Sequence, residues 1–306
     1  MSTALAIIPP TAHGLVDLFL SGKSPQTLRA YSRDLADFAD FSGLGSVAES
    51  VEALCSGGQG GAHALVLRYR AALLARELSP ATCNRRLAAV RSLVSLGRTL
   101  GIIGWTLEVP GVRSSRYRDT RGCGLDGFRL MLALAEKDRT PKGARDRAVL
   151  RLLWDLALRR AEVCSLDLAH LDLGAGTLSV MGKGRRERES LTLPPTTREA
   201  LRAWLDVRGT EPGPLLTNAD RRTKGGRLTG AGLYHLVRAI GLQAGIVVRP
   251  HGIRHASITT ALDATGGNLR DAQKFSRHKD TRTLMLYDDN RSDAAGSVAA
   301  LVSGRV

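Results

Sequence analysis

Apolar residues recur at spacings of three and four through most of the chain, a periodicity that predicts a protein built mainly of helices. From Ser24, the stretch SPQTLRAYSRDLADFADF sets Leu28, Tyr31, Leu35, Phe38 and Phe41 on one face. Ser24 stands as its cap and Pro25 at the first helical position. A second periodic stretch covers about 63–78, and Ser79-Pro80 opens a third, from Ala81 toward Leu100, that carries Arg85, Arg86, Arg91 and Arg98. The Gly-rich CSGGQGG at 55–61 is expected to separate the first two. Beyond 101–103 the pattern stops, and VPGVRSSRYRDTRG, with Pro110, Arg113, Arg116, Arg118 and Arg121, reads as an extended basic linker.

Helical patterning resumes at 125–137, 144–158 and 159–166. The period then changes. In HLDLGAGTLSVMGKGRRERESLTLP short apolar runs alternate with Gly-containing turns, as in a three-stranded meander. Further helices are expected at about 196–207, 229–244, 252–264 and 269–276, followed by TRTLMLY with Tyr287. The tail carries Val298, Leu301 and Val302 in a pattern that suits a short, detachable helix. The predicted fold is mainly α with a small antiparallel β-sheet. Its expected parts are a mobile leader (1–12), a helical domain (13–105), the basic linker (106–121), an α+β domain (122–290) and the tail (291–306).

Composition adds a partner class. The 306 residues hold 44 Lys plus Arg against 29 Asp plus Glu, for a net charge of +15, and 37 of the 44 cations are Arg. The planar guanidinium suits phosphate oxygens, so a polyanion is the first hypothesis; an Arg-biased genome is the bland alternative. The charge is +5 through Arg121 and +10 beyond it, so a DNA-tracking surface would span the linker. No stretch has the roughly 18 to 20 apolar residues of a membrane span. MSTALAIIPP lacks the basic flank of a secretion signal, and the protein is expected to stay in the cytoplasm. Cys55, Cys83, Cys123 and Cys164 form no CxxC pair and are expected to be reduced, buried thiols.

Single motifs are weak. His251 and His255 have helical spacing, but position 252 is Gly where a zinc protease has Glu, so no metal is expected. Gly22-Lys23-Ser24 resembles the end of a P-loop, but Asp17 stands where its first Gly belongs, so no nucleotide cofactor is expected either. In order, however, LRRAEV (158–163), GKG (182–184), HGIRH (251–255), His278 and, nine residues on, Tyr287 form a series. This series resembles the tyrosine recombinase, or phage integrase, family over about 122–290. That family carries an Arg in an LRxxE segment, a Lys in a β-hairpin, an HxxR box and a His nine residues before the nucleophilic Tyr. The helical stretches SPQTLRAYSRDLADFADF and LSPATCNRRLAAVRSLVSL more loosely resemble its core-binding domain. Two positions depart from the pattern: Ala157 and Arg277 stand where the family usually has Gly.

These residue types suit phosphodiester chemistry in their own right. Two guanidinium forks, Arg159 and Arg254, neutralise charge on equatorial oxygens without a metal. Tyr287 supplies a phenol able to form a phosphotyrosine that conserves the bond energy for religation, so no cofactor is needed. Lys183 is the candidate general acid for a 5′-hydroxyl leaving group, and His251 and His278 position the phosphate and assist proton transfer. Glu162, one turn after Arg159, is a candidate support that orients an Arg or His. The structural alternatives are a solvated Arg159-Arg160 pair, an exposed turn Lys183, a structural His255, and a core Tyr287 packed with Leu284 and Leu286.

The resemblance implies a site-specific recombinase that clamps double-stranded DNA sites and exchanges strands through 3′-phosphotyrosine linkages in a homo-tetramer. It implies an N-terminal core-binding domain and a C-terminal catalytic domain; the tail is a candidate for docking on a neighbour, because Val298, Leu301 and Val302 would be awkward if left exposed. Accessory DNA-bending or directionality proteins are further candidate partners. Arg85, Arg86, Arg113, Arg116, Arg118, Arg121 and Arg277 are candidate DNA contacts. The competing functions are relaxation of supercoils by a type IB topoisomerase, and a catalytically idle DNA-binding accessory protein.

Overall fold

Five helix starts among the described residues are written as hydroxyl caps. The side chains of Ser24, Ser46, Ser79, Thr140 and Thr229 each accept from a backbone N–H three residues on, and Pro25, Pro80 and Pro141 follow three of them. A computed structural model describes residues 12–113, 122–182, 187–218, 225–278, 280, 281, 284, 299 and 302–304. The chain divides into two compact units, Met1–Arg116 and Tyr117–Val306.

The first unit contains α1 (Ala12–Leu20), α2 (Pro25–Ser42), α3 (Val47–Ser56), α4 (Gly58–Ala75) and α5 (Pro80–Thr99). Phe38, Val66, Tyr69, Leu73, Leu87 and Val90 form its main core. Helix α1 begins at Ala12, the last residue of the expected leader, and the rest of that leader lies outside the described residues. Two expectations change here. CSGGQGG is not a spacer: α3 runs through Ser56 and α4 starts at Gly58, so the break is confined to Gly57. Glycines weaken a helix by about 1 kcal/mol each, but Ala62 and Val66 in the following turns are fully buried and hold α4 in place. The first part of the expected linker is also fastened down. Leu107 and Val109 enter the core, Arg91 donates to the Val109 carbonyl, and Asn84 clamps the Val112 N–H and carbonyl.

Asp34 is buried on the face of α2 read as apolar, one turn before Phe38. Its carboxylate accepts from Arg85 at 2.5 Å, and neighbouring Asp37 accepts from Tyr69, Arg76 and Arg86 at 2.7–3.2 Å. Arg85 and Arg86 therefore tie α5 to α2. Burial raises the pKa of Asp34 against the lowering field of Arg85 and Arg86; at Asp37 burial acts the same way but the Arg76 and Tyr69 hydrogen bonds win, and its pKa is lowered.

The second unit contains α6 (Gly124–Lys137), α7 (Pro141–Asp155), α8 (Arg160–Cys164), a sheet of β1 (Leu171–Asp172), β2 (Thr177–Met181) and β3 (Arg188–Thr192), then α9 (Pro195–Arg208), α10 (Gly230–Gln243), α11 (Pro250–Ala264) and α12 (Leu269–Ser276). The sheet is an antiparallel meander in the order β1-β2-β3, with Leu178 opposite Leu191 and Val180 opposite Glu189. Its buried face is Leu178 and Val180. The core is centred on α7, whose Val149, Leu150, Leu152 and Leu153 are fully enclosed, and Trp154 stacks on Phe128 of α6 at 4.1 Å. Burying each such aliphatic side chain stabilises the fold by about 1.5–3 kcal/mol. A smaller core of Ala157, Ile258, Leu262, Ala272 and Leu284 joins α11 to α12.

Candidate active site

Three helix ends in the second unit bring the candidate residues together. The first is the entry to α8. Helix α7 closes with the Leu158 N–H bonded to the Leu152 carbonyl, and Ala157 takes the left-handed conformation (φ 45°) that such a cap requires. That turn delivers Arg159 to the N-cap of α8. The Glu162 carboxylate reaches back to the Arg159 backbone N–H at 2.8 Å, and its other oxygen accepts from the Arg159 guanidinium at 2.8 Å. Arg160 is exposed whereas Glu162 is buried, so Arg159 and Arg160 are not an equivalent solvated pair. At the far end of α8, Arg227 donates to the carbonyls of Cys164 and Leu166 and pairs with Asp167.

The second is the start of α11. His251 is exposed in its first turn, while Arg254, one turn deeper, is 1% exposed. The Arg254 guanidinium donates to the carbonyls of Ala157 and Ser276, joining the α8 entry to the end of α12. His255 is buried on the same helix.

The third is the end of α12. Arg277 caps it in the left-handed region (φ 56°, ψ 38°) and donates to Glu162 at 2.7 Å. Both departures from the family's Gly, Ala157 and Arg277, thus fall where the backbone is left-handed, a conformation that costs a side-chain-bearing residue roughly 1–2 kcal/mol. His278 follows, its Nδ1 2.8 Å from the Ser276 hydroxyl. Burial, then the positive charge of Arg254, Arg159, His251 and Arg277, pushes its pKa down to about 4. Its imidazole is therefore neutral at physiological pH.

A pH dependence follows. Below about pH 6.5 the unfolded chain protonates His278, whereas the folded protein resists until about pH 4. The stability contributed by this site is therefore fully present above pH 6.5 and is lost as pH falls toward 4. Denaturant midpoints of wild type and His278→Asn, compared from pH 7 to pH 4, should converge as pH falls; a constant gap would contradict the depressed pKa.

Lys183, in the connection between β2 and β3, and Tyr287 lie outside the described residues, as do Arg116, Arg118, Arg121 and most of the tail. Arg113 is exposed. Three of the four thiols are half-buried and Cys83 alone is fully buried; burial pushes Cys123 and Cys164 up to about 11, so neither is a ready nucleophile. Among the described residues no cluster of three or more His, Cys, Asp or Glu is placed to hold a metal ion, and no helix is long and apolar enough to cross a membrane. Sequence reasoning missed the link between Arg277 and Glu162. The only signal for it was a charged residue at a position that calls for Gly.

A mainly helical unit with a three-stranded antiparallel meander is a fold shared with solved recombinases and integrases. The phage integrase family model matches residues 126–293, and the chain belongs to this family, the tyrosine recombinases. It is 41% identical to tyrosine recombinase slr0733 of Synechocystis sp., covering 94% of each chain. It is 42% identical to tyrosine recombinase Synpcc7942_B2651 of Synechococcus elongatus, covering 95% of this chain and 93% of the relative. Among solved structures, the XerH site-specific recombinase bound to palindromic difH substrate, a post-cleavage complex, matches with a TM-score of 0.71 at 20% identity, over 95% of this chain and 85% of that one. The protein is accordingly a DNA breaking and rejoining enzyme of site-specific recombination.

Proposed function

We propose that the protein recombines duplex DNA sites through a 3′-phosphotyrosine intermediate formed by Tyr287, in the cytoplasm, as a homo-tetramer spanning two sites. The carrying observation is the convergence of Arg159, Arg254 and His278 within one unit, fixed by Glu162 and by backbone carbonyls. The Tyr287 oxygen attacks phosphorus as its proton leaves, the bond to the 5′-oxygen breaks, and Lys183 protonates that oxygen. Arg159 and Arg254 stabilise the charge that builds on the equatorial oxygens. Neutral His278, with His251, accepts the phenolic proton; the bound phosphate supplies the negative charge that makes protonation of His278 less costly than in the free protein. Religation is the reverse, with the 5′-hydroxyl attacking the phosphotyrosine.

Within this proposal the organisation is a core-binding unit at 13–105, a basic connection at 106–121, a catalytic unit at 122–290 and a tail at 291–306 that docks on a neighbouring copy. Support for a DNA substrate comes from the +15 charge and from the solved recombinases of the same fold. Trapping tests it. Wild-type protein incubated with a nicked suicide duplex bearing its site should give a band of protein plus DNA on a denaturing gel, and on no unrelated duplex. Equal trapping on every duplex would favour site-independent relaxation, and no band on the cognate site would sink the mechanism.

A further inference from the structure

Glu162 is a buried carboxylate shared by two arginines. It accepts the Arg159 backbone N–H and guanidinium at 2.8 Å each and the Arg277 guanidinium at 2.7 Å, and both Glu162 and Arg277 have side chains only 4% exposed. Arg159 comes from the N-cap of α8 and Arg277 from the C-cap of α12, 115 residues from Glu162 in sequence. Such a carboxylate holds Arg159 in one orientation, but at a cost to function. A guanidinium paired one-to-one with a carboxylate is a neutral object and attracts a phosphate weakly. A second guanidinium on the same carboxylate returns the cluster to a net single positive charge, and in a buried site a unit charge acts more strongly than at the surface.

We propose that Arg277 is a positioning residue of the cleavage site: through Glu162 it lets Arg159 be held rigidly while the cluster keeps the positive charge the scissile phosphate needs. This rests on the reading that Arg159 binds that phosphate. It also explains why a residue with a large side chain occupies a left-handed position: the conformation turns the Arg277 side chain toward α8 while the next residue, His278, sits against Ser276. Arg277 is one of three arginines that face His278, with Arg254 and Arg159, so the same residue helps keep that imidazole neutral.

The test uses the full chain and single-turnover cleavage of a suicide duplex at saturating DNA. Arg277→Gly suits the left-handed backbone and is expected to fold, yet to cleave roughly 10- to 100-fold more slowly, as for other groups that support a charged ligand from behind. The DNA concentration for half-saturation should change less than about threefold, and the pKa of His278, followed by NMR, should rise above the wild-type value. Arg277→Lys, which keeps the charge, should recover most of the rate. Arg277→Gln, which keeps a donor to Glu162 but no charge, should stay as slow as Gly. Wild-type rates in Gly or Gln variants would overturn the proposal. So would a loss confined to DNA affinity, which would make Arg277 a direct DNA contact. Arg159→Ala separates the two levels: if it cleaves normally, the reading of Arg159 as the phosphate ligand fails, whatever Arg277 does.

Discussion

Tyr287→Phe is expected to leave no covalent protein–DNA band while binding the same duplex within about threefold of wild type. The substitution removes one oxygen and keeps the ring, so most contacts with the DNA backbone are untouched. In the proposed mechanism the lost atom is the one that attacks phosphorus, and a phenyl ring has no lone pair with which to replace it. Removing a nucleophile costs cleavage roughly 10⁴-fold or more, below detection on a gel. The structure limits which other tyrosine would take over. Tyr69 donates to Asp37 at 2.7 Å, and burial with that bond pushes its pKa far up, while Tyr31 is stacked on Phe19. A band that persists in Tyr287→Phe would assign the nucleophile elsewhere.

Glu162→Ala should be the most damaging change to the stability of the second unit. It leaves the buried Arg277 guanidinium without its carboxylate and Arg159 without the bond that caps α8. Breaking a buried ion pair by deleting one partner costs about 3–5 kcal/mol, because the remaining charge stays desolvated. Urea denaturation of the full chain, followed by Trp fluorescence, should show the transition of the second unit shifted to much lower urea. Glu162→Gln, which keeps the shape and an acceptor, should lose less stability but leave two guanidinium groups uncompensated, and its cleavage rate should still fall. Stability unchanged in Glu162→Ala would mean that the three-residue cluster is not a support of the fold.

Helix starts were legible because they depend on local chemistry: Ser24-Pro25 and Ser79-Pro80 open α2 and α5 as their hydroxyl and ring require. The meander was legible because its period is local too. The division of α3 from α4 was not, since a Gly-rich run is helical here only through packing of residues further along, such as Val66. Buried Asp34 was invisible for the same reason: its partner Arg85 lies 51 residues away. At the candidate site, the chain order pointed to Arg159, Arg254 and His278 as a group, and Glu162 to a supporting carboxylate. The tie from Glu162 to Arg277 spans 115 residues and has no periodic signature. Arg277 was noticed only as a misfit, and backbone geometry alone explains why Gly would be the ordinary choice there.

Helix α8 has only five residues, far below the length at which a helix persists by itself in water. Its two ends are secured by Glu162 and Arg227, and its Val163 is anchored in the main core. Arg159 is therefore presented only once residues from Phe128 to Ile253 have assembled around that core. A nascent or partly unfolded chain holds Arg159 in no fixed place relative to Arg254 and His278. The proposed cleavage site of a DNA breaking and rejoining enzyme is in this way assembled last, by the brevity of one helix.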